Sequence, residues 1–404
     1  MKVLRTAFAA LLCLVAQAGL QSAVAQEPVR IGLIDDQSSV YSGLGGKGTV
    51  IAVQMAIEDF GGKALGQPIE FRSADHLNQP DLALSLASAW LDRDKFDVIL
   101  GGGSSAALLA VQNMMKAKPT KTLMVTGSSN LDFAGKACTE NSMQFAPNNY
   151  VLLAPTIKAL TDQDQKKWYL LSSDNAGGKT ARSVATKKLE QFGGSVSGTA
   201  LFPLDSTDFS SFLLQAQATT PQVLGLSTSG SPLVALVKQS REFGLQASGI
   251  QMALLAAFIT DIHSIGLEAA QGLVFSTIFY WDRNEKTRDF AKRFFAKDGG
   301  MPTQMHAAAY AATIHYLQAV ETAKTADATK VIPLMREKHI DNPLFEDAYV
   351  REDGAVIWPA YFVQVKTPAE SKDPWDYYTI KATISGQDAN LSIKDQGCPR
   401  FAGQ

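Results

Sequence analysis

Residues 29–62 read VRIGLIDDQSSVYSGLGGKGTVIAVQMAIEDFGG, and their pattern decides the fold class. Val29–Ile34 is a short apolar run of strand character. Gly45-Gly46-Lys47-Gly48 leads into a helix whose apolar positions Val50, Ile51, Ala56, Ile57 and Phe60 favour one face, and Gly61-Gly62 stops it. The alternation continues outward. Ile69–Phe71 is a strand, Asp75–Asp81 a turn, and a helix starts at Pro80 or Asp81 and runs through Trp90. Asp97–Leu100 is a buried strand, Gly101-Gly102-Gly103 a tight turn, and Ser104 opens a helix to about Met115, ahead of the strand Thr122–Val125.

The rhythm resumes after a break at Asn148-Asn149. Strands at Trp168–Ser172, Thr199–Phe202, Val223–Leu226 and Gln251–Leu255 alternate with helices at Val151–Leu160, Ala181–Phe192, Phe209–Ala218 and Leu233–Phe243, and a short helix follows Ile262. Strands that alternate with helices of this length imply βαβ units and parallel sheets. Two such runs, one before and one after residue 147, predict an α/β protein of two lobes with parallel sheets. The expected division is residues 26–147 and 276–347 in the first lobe, and 148–275 and 348–404 in the second. The last third reads as a strand (Gly272–Phe279), two helices (Lys286–Phe295, Thr303–Ala323) and a strand-rich stretch over 347–384, chain that returns to join and cover the lobes.

Residues 1–25 carry a different message. Lys2 and Arg5 precede a mostly apolar stretch over 7–20, and Ala23-Val24-Ala25 supplies a small-x-small cleavage pattern. This predicts a secretory signal cut after Ala25 and a periplasmic location. The stretch is shorter than the roughly 20 apolar residues a membrane span needs. Cys13 follows Leu12 in mid-stretch, so it is expected to leave with the signal rather than take a lipid. Export removes access to cytoplasmic ATP and reduced nucleotides, and with it many enzyme readings.

Composition narrows the classes further. Roughly 380 residues remain after cleavage, enough for two domains. Loss of Lys2 and Arg5 takes the formal net charge from −2 to −4, and no basic patch points to nucleic acid. Cys138 and Cys398 remain, and in an oxidising compartment they are expected to pair. Neither has a cysteine or histidine neighbour at metal-ligand spacing, so no metal and no cofactor are expected. Gly43-Leu44-Gly45-Gly46-Lys47-Gly48 fits G-x-G-x-x-G but stands too far from its strand for a dinucleotide fingerprint. There is no G-x-S-x-G elbow. None of the five histidines, His76, His263, His306, His315 and His339, pairs visibly with an acid and a serine, although His76 and His306 stand near the expected cleft. The chain is therefore read as a non-enzyme.

Ligands of open α/β sheets bind outside the carboxyl ends of the strands. Those ends carry Asp35-Asp36-Gln37-Ser38-Ser39 with Tyr41, Ser104-Ser105, Ser128-Ser129-Asn130, Ser173-Asp174-Asn175, Ser227-Thr228-Ser229 and Ala256-Ala257-Phe258. Glycine admits close backbone approach, short hydroxyls offer donors and acceptors, and helix starts favour anions. Any single site of this kind reads equally well as a cap or a turn. Recurrence in both lobes points to a shared polar shell.

Over nearly its whole mature length the chain resembles the type I periplasmic solute-binding proteins of ABC importers, the leucine/isoleucine/valine-binding family. Segments such as IGLIDDQSSVYSGLGGKG, SADHLNQPD, GGGSSAALLAVQ, STDFSSFLLQAQA and FITDIHSIGLEAAQGLVFSTIFYWDRNEKTR carry the resemblance. It implies two doubly wound parallel-sheet lobes around a ligand cleft, three interlobe crossings, capture of a small molecule by lobe closure, and delivery to a membrane permease by a monomer. A ligand-sensing receptor component of the same fold is the alternative. The resemblance places a ligand carboxylate on Ser104, Ser105, Ser128, Ser129 and Asn130. Tyr41, Asn175, Ser227, Thr228, Phe258 and Tyr280, or Trp281, are expected to complete the pocket. Where amino-acid binders carry an acid for the ammonium, this chain has Ala256-Ala257-Phe258, and Asp261 reads as a cap of the next helix. Relatives carry aromatic residues at the positions of Asn175 and Gly177. The ligand is therefore expected to be a carboxylate without an α-amine, an aromatic acid ahead of a branched-chain amino acid.

Overall fold

A computed structural model describes residues 27–402. The expected export segment 1–25, with Cys13, lies outside them. The first sheet is built from β1 (Arg30–Asp35), β2 (Glu70–Asp75), β3 (Val98–Gly102), β4 (Thr122–Gly127) and β5 (Ser142–Gln144). Its order is β2-β1-β3-β4-β5, with every pair parallel. The helices α1 (Gly46–Asp59), α2 (Pro80–Ser88) and α3 (Ser105–Met115) follow β1, β2 and β3. Alternation along the strands serves both faces. Ile31, Leu33, Val98 and Leu100 enter one core cluster, while Ile34 and Ile99 enter another beneath α2 and α3.

The second lobe repeats this winding. Its strands are β6 (Lys167–Ser173), β7 (Ser195–Phe202), β8 (Val223–Ser227), β9 (Gln251–Leu254) and β10 (Val274–Thr277), in the parallel order β7-β6-β8-β9-β10. The helices between them are α4 (Asn149–Thr161, ahead of β6), α5 (Ala176–Gln191), α6 (Ser210–Ala218), α7 (Ser231–Glu242) and α8 (Ile259–Ile265). In each lobe the winding reverses direction beside its first strand, between β1 and β3 and between β6 and β8. Such reversals open crevices at the strand ends.

After β10 the chain returns to the first lobe with α9 (Glu285–Asp298), α10 (Gln304–Ala323) and α11 (Ala328–Glu337). Helix α10 is buried over almost its whole length because Ala307–Ala309, Ala311 and Ala312 let it lie against α1 and the sheet. The strand-rich stretch resolves into a hairpin, β11 (Tyr349–Val350) with β12 (Val356–Ile357), and two strands, β13 (Ala360–Val365) and β14 (Tyr378–Ile384), which extend the second sheet antiparallel beside β10.

The structure corrects the expectation that 348–404 belongs to the second lobe. Val350, Val356 and Trp358 lie in the first lobe's core, and the Trp358 indole N–H donates to the Phe145 carbonyl at 2.9 Å. Beyond β14 the tail also goes back: Cys398 pairs with Cys138, Gln396 donates to the Leu131 carbonyl at 3.0 Å, and Ala389 is fully buried in the first core. The chain thus crosses between lobes after β5, after β10, before β13 and again after β14, one passage more than the three expected. β13 and β14 alone continue the second sheet from its β10 edge, among the described residues of this stretch. The remainder found apolar and covalent partners in the first lobe.

Candidate functional site

A cavity of about 280 Å³ lies between the lobes. The loops after β3 and β4 line it from the first lobe, and the loops after β6, β8 and β9 from the second. Helix starts converge on it. Ser104 caps α3 by accepting from the Ala107 N–H at 3.3 Å, Asn148 caps α4, and Asn175 caps α5 by accepting from the Gly178 N–H at 2.8 Å. The free N–H groups of such first turns carry partial positive charge and favour anions. The ends of β3 and β4 approach so closely that a Cβ on Gly127 would stand 2.7 Å from the Gly102 Cα, and only glycine fits there.

On the first-lobe wall the Ser105 and Ser128 hydroxyls share a hydrogen bond of 2.8 Å. Gln144 holds the adjoining loop by donating to the Ser128 and Asn130 carbonyls. Buried Asp36 shapes the loop after β1: its carboxylate accepts from the Ser39 N–H, the Ser39 hydroxyl and the Tyr41 N–H. Tyr41 is thereby aimed across the cleft, where its phenol oxygen accepts from the Asn175 amide at 2.8 Å. Burial pushes the Tyr41 phenol up to about 12, against the opposing bond from Asn175. Within the second lobe, Asn149 at the start of α4 donates to the Gly177 carbonyl at 3.3 Å.

The second-lobe wall is polar but uncharged. Ser227 and Thr228 are buried, line the cavity, and have no hydrogen-bond partner for their hydroxyls. Phe258 forms the apolar side with Leu44, Met305 and Tyr41. Among the described residues that line the cavity, none is charged. Asp174 is exposed and paired with Lys179 at 2.7 Å. Asp261, expected as the N-cap of α8, instead stands third in its first turn and caps it from there, with Phe258 at the N-cap position. One carboxylate oxygen accepts from the Gly230 N–H at 2.9 Å and the other from the Phe258 N–H at 3.0 Å.

The structure thus brings Tyr41, Ser104, Ser105, Ser128, Ser129, Asn175, Ser227, Thr228 and Phe258 to one cavity. It does not bring Asn130 or Tyr280. The Asn130 side chain turns back to accept from the Asp132 N–H at 2.9 Å. Tyr280 is buried behind Phe258 and donates to Asp376 at 3.2 Å. Trp281 is likewise occupied with the Trp375 carbonyl. His76 and His306 do not line the cavity. His76 holds the Gly102 carbonyl and the Asn78 N–H. His306 bonds the Gly45 carbonyl and the Thr303 N–H and stacks on Phe294, and burial pushes it down to about 4.

Sequence reasoning did not reach Leu44, Asn149 or Met305. Asn149 sits at the break in the pattern and was within reach. Met305 opens a helix far along the chain, and no local signal marks it. Among the described residues no group of three or more His, Cys, Asp and Glu stands at metal-holding distance, and no helix is long and apolar enough to cross a membrane.

Residues 28–373 match the family described as periplasmic binding protein. A periplasmic binding protein from Burkholderia mallei is 38% identical, with a TM-score of 0.89 over 93% of this chain and 99% of its own. A branched chain amino acid ABC transporter periplasmic ligand-binding protein from Burkholderia xenovorans is 36% identical, with a TM-score of 0.84 over 92% and 99%. A solute binding protein of an ABC transporter from Rhodopseudomonas palustris, solved with 3,4-dihydroxybenzoic acid, is 20% identical, with a TM-score of 0.80 over 89% and 98%. No curated protein sequence matches the chain.

Proposed function

We propose, from the premise that this chain belongs to the periplasmic binding protein family of ABC transporters, that it captures a small carboxylate without an α-amine and hands it to a membrane permease. An aromatic acid is the favoured ligand. The observation that carries this reading is the absence of any charged side chain among the described residues lining the cleft. A carboxylate finds the start of α3 with Ser104 and Ser105, and the Ser128 and Ser129 loop beside it. An ammonium finds no counter-charge, and burying one unpaired costs several kcal/mol. The Phe258, Leu44 and Met305 wall suits a ring or hydrocarbon body.

Closure follows from the same geometry. Ligand atoms that bond to both lobes stabilise the closed arrangement over the open one. The closed protein then presents its cargo to the permease, and ATP is hydrolysed elsewhere in the importer. The Burkholderia xenovorans relative is named for branched-chain amino acids, so leucine is the informative competitor. The Rhodopseudomonas palustris relative is too distant to carry its ligand over, and the preference for aromatic acids rests on the residues of this cleft.

A thermal-shift comparison of the mature protein tests the reading, because a ligand selective for the folded state raises apparent stability. Benzoate and 4-hydroxybenzoate are expected to raise the midpoint and leucine to leave it unchanged. A shift with leucine alone overturns the ligand assignment.

A further inference from the structure

Two loops of the second lobe line the cleft, Ser227–Ser229 after β8 and Ala256 with Phe258 after β9. Neighbouring strands carry them, and the ladder between those strands ends with the Leu255 N–H on the Leu226 carbonyl at 2.8 Å, so it sets the spacing at the loop bases but not at their far ends, Gly230 and Phe258. One side chain does. Asp261 is 3% exposed, and its two oxygens take one N–H from each loop end, Gly230 and Phe258. Gly230 has φ +71°, a backbone conformation that favours glycine, and this turns its N–H inward. A Cβ there would also come within 3.0 Å of the Val40 carbonyl on the first lobe. The bridge therefore lies where the second-lobe wall meets the opposite lobe.

From this geometry we infer that Asp261 is the positioning residue of the second-lobe wall, a single carboxylate that ties the Ser227–Gly230 loop to the Ala256–Phe258 loop so that both present to the cleft as one unit. It rests on the proposed function only in that these loops face the ligand; the bridge itself needs no ligand. The same bonds explain why Asp261 does not serve as an ammonium counter-charge: both oxygens are spent on backbone donors.

A carboxylate so held has a pH-dependent grip. Burial pushes Asp261 up to about 7, against the lowering effect of its two N–H bonds. Protonation leaves one oxygen a poorer acceptor and loosens one arm of the bridge. The titratable groups around it are Lys238 on α7, which lines the same rim groove, His263 on α8 itself, and Tyr378 on β14. Among the described residues, Gly230 and Phe258 are the hydrogen-bond partners of the carboxylate. His263 is engaged with Tyr377 and stacked on Trp375.

The test uses the mature full-length chain, without ligand, selectively labelled with ¹⁵N-glycine and ¹⁵N-phenylalanine. The Gly230 and Phe258 amide signals are expected to titrate together between pH 8 and pH 5 with one shared midpoint near neutrality. Asp261→Asn is expected to abolish that titration and to lower the exchange protection of both amides together by about tenfold or more. Amides that titrate separately, or not at all across this range in the wild-type chain, overturn the inference whether or not the variant folds. Because no ligand is added, such a result leaves the proposed function standing, and a failed ligand screen leaves the bridge standing.

Discussion

Replacing Tyr41 by Phe removes one hydroxyl and, with it, the bond that reaches across the cleft. In the structure that oxygen accepts from the Asn175 amide at 2.8 Å, and the Asn175 carbonyl oxygen simultaneously caps α5 through the Gly178 N–H. The two duties separate by substitution. Tyr41→Phe deletes the clasp and keeps the cap. Asn175→Ser also deletes the clasp, because serine is too short to reach Tyr41, while its hydroxyl still caps. Asn175→Ala deletes both. Both clasp partners meet water when the lobes open, so the bond contributes about 1 kcal/mol net to closure. That corresponds to about fivefold in the closed-to-open ratio and in the affinity of any ligand that requires closure. The cap contributes about 1 kcal/mol to the second lobe and is felt in unfolding rather than in binding.

The assay is a double-mutant cycle on affinity for the carboxylate giving the largest thermal shift, with urea unfolding of each variant alongside. Tyr41→Phe and Asn175→Ser are each expected to weaken binding about fivefold, and the double variant no more than either alone. Of these variants only Asn175→Ala is expected to lower the unfolding midpoint appreciably. If the two single losses add in full, the partners act independently in the bound state and the clasp argument fails.

Removing the Ser105 and Ser129 hydroxyls together is expected to weaken carboxylate binding at least tenfold, since hydrogen bonds to a charged group are worth about 1.5–3 kcal/mol each, with the unfolding midpoint unchanged; equal affinity by calorimetry removes these residues from the site. Ala256→Asp places an anion in a cleft wall now free of charge, and it is expected to abolish aromatic-acid binding and to create a measurable thermal shift with leucine. Reduction of Cys138–Cys398 opens a link between residues 260 apart; the chain-entropy relation puts its stabilisation at about 5.5 kcal/mol, so dithiothreitol is expected to lower the urea midpoint strongly while ligand affinity changes little. Burial raises Asp261 to about 7 and Asp35 to about 6, above the roughly 3.9 of an unfolded aspartate. The folded state therefore binds protons more tightly than the unfolded one between about pH 4 and 7, so their contribution to stability falls as pH rises through that window. Unfolding midpoints of Asp261→Asn are expected to depend less on pH there than those of the wild-type chain.

Much of this fold was legible because it is locally encoded. Apolar runs such as Val98–Leu100 need two covered faces, glycines stop α1, and Ser104 and Asn148 cap helices within three residues of themselves. The strand-end rule then placed nine of the expected site residues in one cavity, because a parallel sheet brings all its carboxyl ends to one edge. The two misplaced residues failed for different reasons, Asn130 through a local bond two residues along and Tyr280 through one across 96 residues. Asn130 and Tyr280 sit at the right strand ends, but their side chains found nearer partners in Asp132 and Asp376. The sequence by itself determined two repeated βαβ runs, strand ends rich in small hydroxyls and glycines, and an uncharged Ala256-Ala257-Phe258 stretch after one of them. Only the tertiary structure decided that 386–402 returns to the first lobe, that Met305 and Leu44 close the apolar wall, and that Asp261 bridges two loops. Each of these depends on which distant group a side chain meets, and packing across long separations leaves no periodic mark in the chain.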